Sequence, residues 1–172
     1  MRREPGQYDP AFEKQEKPLQ FSIEDEDKHI IYGCVMRADF PIYRITNSGY
    51  EYYIEFGKDT IREMAQRYLQ DGLQNTVDTM HNHQLEDGVF MQEMFIKDVN
   101  GGINPVGFEN VEDGSLFAKF KVENEDIWNE VKEGTFKGFS IEVFCDVEEV
   151  ISPEEAEILD LINKIKDKIN KK

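Results

Sequence analysis

Apolar and polar residues alternate in several short segments of the chain, and this period of two is typical of strands with one buried face. Residues 50–56 show it clearly, because Tyr50, Tyr52 and Ile54 alternate with two glutamates and a tyrosine. Other segments are short apolar runs bounded by turn residues, as in buried strands. Together they predict about six strands, within residues 29–36, 39–56 (two strands around a turn at 47–49), 88–99, 115–122 and 137–150.

Other segments repeat apolar residues at helical spacing. In residues 58–72, Thr60 and Glu63 match a capping box and Gly72 marks the end of the helix. A second, shorter helix is predicted over residues 124–134, between an asparagine and a glycine.

Residues 151–172 predict a C-terminal amphipathic helix that begins near Pro153. Acidic residues come early in this helix and lysines late, which suits the helix dipole. Its isoleucines at positions 158, 162, 165 and 169 form a stripe along one side of the helix. This stripe would either cover the core of its own domain or pair with a second copy. Self-association through helix 153–170 is therefore a candidate interaction.

The elements predict the organisation of the chain. Residues 1–27 are polar and end in an acidic cluster, so we expect a mobile acidic N-terminal arm. Residues 28–150 would form one domain and residues 151–172 the terminal helix. Because strands alternate with a few helices, we expect an α+β fold. The expected architecture is a small, mostly antiparallel β-barrel or curled sheet with two or three flanking helices.

Composition limits the partners of this protein. The 172 residues include 20 Lys+Arg and 36 Asp+Glu, giving a net charge of −16. Direct nucleic-acid binding is not expected, because phosphate neutralisation needs clustered basic residues. No run approaches the roughly 18 apolar residues of a membrane span, so no membrane association is expected. Cys34 and Cys145 lie in apolar runs without CxxC spacing, and we expect buried free thiols in a reducing compartment.

Candidate chemistry concentrates in TMHNHQLEDG, residues 79–88, which contains two of the three histidines. His81 and His83 would face the same way from a strand, and this is a metal-ligand pattern. A closed zinc site would need two further ligands, and the candidates lie in apolar runs: His29, Cys34 and Cys145. A metal-binding domain that uses His81 and His83 is therefore one alternative.

A second candidate is Ser140 in KGFSIEVF, residues 137–144. In the predicted strand, Ser140 and Glu142 share the face opposite Phe139 and Ile141. A serine is a poor nucleophile without an adjacent base, and histidine is the usual base at neutral pH. Taken alone, Ser140 is typical of a solvent-facing strand residue.

Two stretches taken together carry a family resemblance. One has the form N-x-V-x-x-x-H and closes at His81, and the other, V-K-x-G-x-x-K-G-F-S-I-E, ends at Glu142. In this order and spacing, the chain resembles the prohead, or head maturation, serine proteases of tailed phages. These enzymes are distantly similar in fold to herpesvirus assemblin. The resemblance covers roughly residues 28–147.

The resemblance implies a serine endopeptidase with His81 as the general base and Ser140 as the nucleophile. His83 would take the role of the base if the register of the loop differs. No cofactor and no metal are expected in such a site. The implied substrates are the scaffold and the arms of the major capsid protein. The implied location is the host cytoplasm, inside the procapsid or virion.

The chain also differs from assemblin in two respects. Assemblin has a second histidine after its serine, whereas this chain has none after His83, so Glu142 or Asp146 is the candidate third member. Assemblin also has arginines at its oxyanion hole, and no arginine follows Arg67 here. Backbone amides around Gly134–Gly138 would replace them. A catalytically inactive protease-fold protein that lines the capsid or virion is therefore a further alternative.

Overall fold

The computed structural model describes residues 19–46, 48–79, 83–139, 141, 142, 146, 148 and 153–170, and in the last helix it describes the side chains of residues 157–164 and 166. Within these residues the fold is α+β with antiparallel sheets and three α-helices, as the sequence predicts. The chain divides into two compact units. The larger contains a four-stranded sheet and two helices, and the smaller contains a two-stranded hairpin and the last helix.

Six strands are described: β1 (Ser22–Asp25), β2 (Ile30–Met36), β3 (Ile42–Ile45), β4 (Glu51–Ile54), β5 (Val89–Ile96) and β6 (Leu116–Val122). Strands β1, β2, β6 and β5 form an antiparallel sheet in that order. Strand β3 pairs separately with β4. The four-stranded sheet is open in the described part of the chain, so no closed barrel is formed there.

Strand β1 lies inside the predicted N-terminal arm. Ser22 and Ile23 pair with residues 32 and 31 of β2, so the prediction of an arm that extends to residue 27 is wrong at its end. Cross-strand pairing and an ion pair offset the polar composition here, because the Glu24 carboxylate lies 2.8 Å from the Lys119 ammonium on β6. Residues 1–18 lie outside the described residues.

The helices are α1 (Lys58–Gln70), α2 (Glu125–Glu133) and α3 (Pro153–Asn170), with a 3-10 turn at Leu73–Asn75. Helix α1 begins after Gly57 without a side-chain cap, so the predicted capping box of Thr60 and Glu63 is wrong. Gly72 follows the helix in the left-handed conformation, as predicted.

Helix α2 is capped as its sequence predicts. The Asn124 side-chain oxygen accepts hydrogen bonds from the backbone N–H groups of Asp126 and Ile127, at 3.0 and 3.3 Å. Gly134 ends the helix with a φ of 74°, a conformation that glycine adopts without a steric penalty.

One face of the four-stranded sheet is buried by α1 and α2. The residues of β6 that face the helices alternate with those that do not, because successive strand residues point to opposite sides. Ile61 of α1 and Trp128 of α2 are almost completely buried in this core. It also includes the strand residues Ile31, Met36, Val89, Met91, Leu116, Ala118, Phe120 and Val122.

The opposite face is covered in part by the loop of residues 101–114, which contains four glycines. Phe108 of this loop packs edge-on against Phe117 of β6, with ring centroids 5.3 Å apart. The loop is held by Lys97, which is 1% exposed and donates hydrogen bonds to three loop carbonyls. Arg37 also holds it through a two-pronged ion pair with Glu112.

The long strand predicted over residues 137–150 is not formed in the described residues of that segment (137–139, 141, 142, 146 and 148). Its beginning is held by one backbone hydrogen bond, from the Phe21 N–H to the Lys137 carbonyl, and by side-chain packing. The Phe139 ring lies 4.6 Å from that of Phe120 and 5.4 Å from that of Phe21. Ile141, which was expected on the buried face, is 36% exposed.

In the smaller unit, the predicted hairpin is confirmed, and Tyr43 packs edge-on against Tyr53 across it. The predicted C-terminal helix is confirmed as α3. None of the helices in the described residues is long and apolar enough to cross a membrane.

Candidate active site

The first segment of the candidate site is a loop between the 3-10 turn and β5. Its stem is closed by an antiparallel bridge between Asp78 and Leu85. The Glu86 N–H donates to the Val77 carbonyl at 2.8 Å, and the Thr79 hydroxyl donates to the Glu86 carboxylate at 2.6 Å. Residues 80–82, and with them His81, lie outside the described residues. The stem therefore fixes both ends of the loop that contains the predicted base.

His83 is the described histidine of this loop. Its φ of 59° lies in the left-handed region, which is uncommon for a residue with a side chain. The backbone N–H of His83 donates to the Asp78 carboxylate at 2.9 Å, and this bond supports the turn. The His83 side chain is 73% exposed.

The second segment follows α2 and contains Ser140, which lies outside the described residues. Its approach is fixed at three consecutive positions. The Lys137 carbonyl accepts a hydrogen bond from the Phe21 N–H at 2.9 Å. Gly138 passes so close to Leu19 that a Cβ there would lie 2.7 Å from the Leu19 carbonyl oxygen. The Phe139 ring packs against Phe120 and Phe21, as described above. The residue that precedes Ser140 is therefore held in place.

The two segments meet through the residues that follow the predicted base and nucleophile. The Nδ1 atom of His83 lies 3.4 Å from a carboxylate oxygen of Glu142. His83 is two residues after His81, and Glu142 is two residues after Ser140. Both side chains are more than half exposed, so their attraction adds little to stability. The contact shows instead that the two segments are neighbours.

Comparison with known families decides the class of the protein. The family model described as "Putative phage serine protease XkdF" matches residues 19–149, which is more than half of the chain. The chain belongs to this family of phage serine proteases. No curated protein and no solved structure matches it. The matched range contains both segments of the candidate site and ends before α3.

The thiol of Cys34 does not offer this phage serine protease an alternative nucleophile. Cys34 is buried in the cluster of Phe108, Val111 and Phe117. Burial raises the pKa of the Cys34 thiol to about 12, so the reactive thiolate is scarce at neutral pH. Cys145 lies outside the described residues.

His29, the third histidine of the phage protease, contacts an aromatic ring and a backbone carbonyl. The His29 ring stacks on Trp128 at a centroid distance of 4.5 Å, and its Nδ1 atom lies 3.3 Å from the Val122 carbonyl. Within the described part of the chain, no three His, Cys, Asp or Glu residues are grouped as metal ligands would be. The hypothesis of a metal site at His81 and His83 concerns a loop that is only partly described.

The structure also narrows the predicted oxyanion donors of the protease. The N–H groups of Gly134 and Thr135 already donate to carbonyls of α2, those of Val131 and Glu130, at 3.1 and 3.0 Å. Two amides of the predicted set therefore serve as the C-terminal cap of the helix. The amides of residues 136–138 are left as candidates.

Two candidate third members are described, and one further residue of the site was not predicted. Glu142 is exposed and lies beside the histidine loop, while Asp146 is exposed as well. Sequence reasoning missed Asp78, whose carboxylate orients the His83 backbone. An aspartate five residues before the histidine is a common turn residue, so its position alone could not have identified this contact.

Proposed function

We propose that this phage serine protease is an endopeptidase of procapsid maturation, with His81 as the general base and Ser140 as the nucleophile. The observation that carries the proposal is the contact of 3.4 Å between His83 and Glu142, because it joins the two segments that contain the predicted pair. Membership of a family of phage serine proteases supports the reaction class.

In the proposed reaction, the imidazole of His81 takes the proton of the Ser140 hydroxyl as its oxygen attacks the scissile carbonyl carbon. The C–N bond then breaks, and the proton passes from the imidazolium to the leaving amine. Water releases the acyl group in a second, equivalent step. Backbone amides of residues 136–138 stabilise the oxyanion, and the Glu142 carboxylate stabilises the positive charge on the histidine loop.

The proposed substrates are the scaffold and the arms of the major capsid protein, cleaved inside the procapsid in the host cytoplasm. The experiment is co-expression of the protein with its own scaffold and capsid proteins, followed by mass spectrometry of the products. Ser140→Ala is expected to abolish processing, and His81→Gln to lower it at least about 100-fold. Ser48→Ala, in the exposed turn of the β3–β4 hairpin, is the matched control and is expected to process normally.

The alternatives are outcomes of the same experiment. Normal processing by Ser140→Ala would exclude the serine mechanism. A complete loss of processing in His83→Gln, with His81→Gln active, would transfer the role of the base to His83. Absence of processing by the wild-type chain would support an inactive protease-fold protein of the virion. Zinc found by elemental analysis of the purified protein, and lost in both histidine variants, would support the metal-binding alternative.

A further inference from the structure

Helix α3 exposes an unusually apolar surface. Ile158, Leu159, Leu161 and Ile162 are 55%, 45%, 58% and 41% exposed. At 3.6 residues per turn, these four side chains cover an arc of about 160°. Single exposed apolar residues are ordinary on protein surfaces, but a contiguous patch of large ones marks an interaction surface.

The same helix separates its charges. Residues 153–163 include four acidic residues and no basic one, whereas residues 164–172 include five lysines and one aspartate. The helix dipole favours such an arrangement only in the first and last turns. Here the separation continues to the middle of the helix, where Asp160 is followed by Lys164. The segment 153–172 has no net charge, although the whole chain carries −16.

We infer that α3 is a dimerisation helix, which pairs in antiparallel orientation with α3 of a second copy. An antiparallel pair related by a two-fold axis places the acidic half of each helix beside the lysine-rich half of the other. A parallel pair would place like charges side by side. This pattern is complementary to itself, as the interface of a symmetric dimer must be, and it identifies a second copy as the partner.

Electrostatics also favours this helix over the other surfaces of the chain. Two copies with a charge of −16 each repel one another, and the neutral terminal segment is where that repulsion is weakest. The interface lies beyond residue 149, where the family match ends. The inference does not depend on the proposed catalytic residues.

The dimer is tested by sedimentation equilibrium of the full chain up to about 100 µM. The wild type is expected to dimerise reversibly in this range. Leu161→Glu is expected to raise the dissociation constant at least tenfold, with unchanged helix content by circular dichroism. Val106→Glu adds the same charge at a side chain that is 78% exposed in another loop, and is expected to dimerise like the wild type. A monomeric wild type, or an undiminished Leu161→Glu dimer, would overturn the inference.

Orientation is tested by cross-linking with a bismaleimide of about 10 Å, the diameter of a helix. Glu157→Cys and Lys166→Cys are made in a Cys145→Ser background, where the remaining thiol, Cys34, is buried. In the antiparallel pair, residue 157 lies beside residue 166 of the other copy, so only the mixture of both variants is expected to cross-link. Efficient cross-linking of Glu157→Cys alone would show a parallel pair. A dimer without any cross-link would place the interface elsewhere.

Discussion

At the scale of single residues, buried polar groups control the loop of residues 101–114. The Lys97 ammonium is buried, and its three N–H donors bond the carbonyls of Phe108, Glu109 and Val111 at 2.9, 2.9 and 2.8 Å. All three N–H donors of the side chain are therefore used, and each binds a different loop carbonyl. In the sequence, Lys97 stands after an apolar strand and is typical of an exposed strand end. Only the tertiary structure shows that it donates hydrogen bonds to the loop.

Lys97→Met is expected to lower the free energy of unfolding by about 3 kcal/mol, because it removes three hydrogen bonds to loop carbonyls from a buried site. Urea unfolding monitored by circular dichroism measures this loss. Lys132→Met, which changes an exposed lysine of α2, is the control and is expected to have almost no effect. A loss of less than about 1 kcal/mol in Lys97→Met would contradict the role of the buried ammonium.

Cys34 predicts a dependence of stability on alkaline pH. Burial raises the pKa of its thiol from 9.0 to about 12 in the folded protein. Below pH 9 the thiol is protonated in both states and has no effect on stability. Above pH 9 the unfolded chain loses this proton while the folded chain retains it, so stability falls as pH rises.

In Cys34→Val, the loss of unfolding free energy between pH 7 and 10 is expected to be about 1 kcal/mol smaller than in the wild type. Urea titrations at the two pH values measure the difference. Comparing the change with pH, rather than the absolute stability, removes the cost of altered packing. Equal losses in the two proteins would contradict a raised pKa of Cys34.

At the scale of elements, the segment of residues 137–139 positions the predicted nucleophile. It is docked by one backbone hydrogen bond, one close approach and one half-buried ring, and not by a strand ladder. The alternation of residues 139–142 predicted a strand because alternation describes only which side chains are apolar. Whether a strand forms also depends on a partner strand with free backbone groups, and that is a tertiary condition.

Gly138→Ala is expected to destabilise the protein by about 2 kcal/mol, because its Cβ would meet the Leu19 carbonyl oxygen, a backbone atom, at 2.7 Å. Displacement of this segment is also expected to slow substrate processing, measured under conditions where the variant is fully folded. Lys137→Ala, at the neighbouring exposed position, is the control. Unchanged stability and processing in Gly138→Ala would show that the close approach is not needed.

At the scale of the whole molecule, the core clusters of the described residues all lie in the larger unit. The described side chains of α3, residues 157–164 and 166, are exposed. These described side chains therefore contribute charge and apolar surface to the protein. We therefore expect the larger unit to fold independently of the proposed dimer.

Deletion of residues 151–172 is expected to change the free energy of unfolding by no more than about 0.5 kcal/mol, as for exposed surface changes. Urea unfolding at a concentration where the full chain is monomeric measures it, because dimerisation would otherwise add stability. The truncated chain is expected to remain monomeric and to process substrate when co-expressed. Loss of cooperative unfolding would contradict the independent folding of the larger unit.

The sequence by itself determined most of the local structure. Period-two alternation identified β4 and β6, and helical spacing identified α1 and α3, because these patterns express which side of an element is apolar. Asn124 and Gly134 predicted both ends of α2, since capping is a contact between near neighbours. Two short motifs were enough to predict the family of phage serine proteases, which the family match supports.

Tertiary structure decided the features that join distant residues. Strand β1 forms from a polar segment because β2 and Lys119 are beside it. Segment 137–139 is held by one backbone hydrogen bond and by ring packing, without forming a strand. The pairing of His83 with Glu142 joins residues 59 positions apart. Long-range contacts of this kind depend on how the whole chain closes its loops, and no local pattern contains that information.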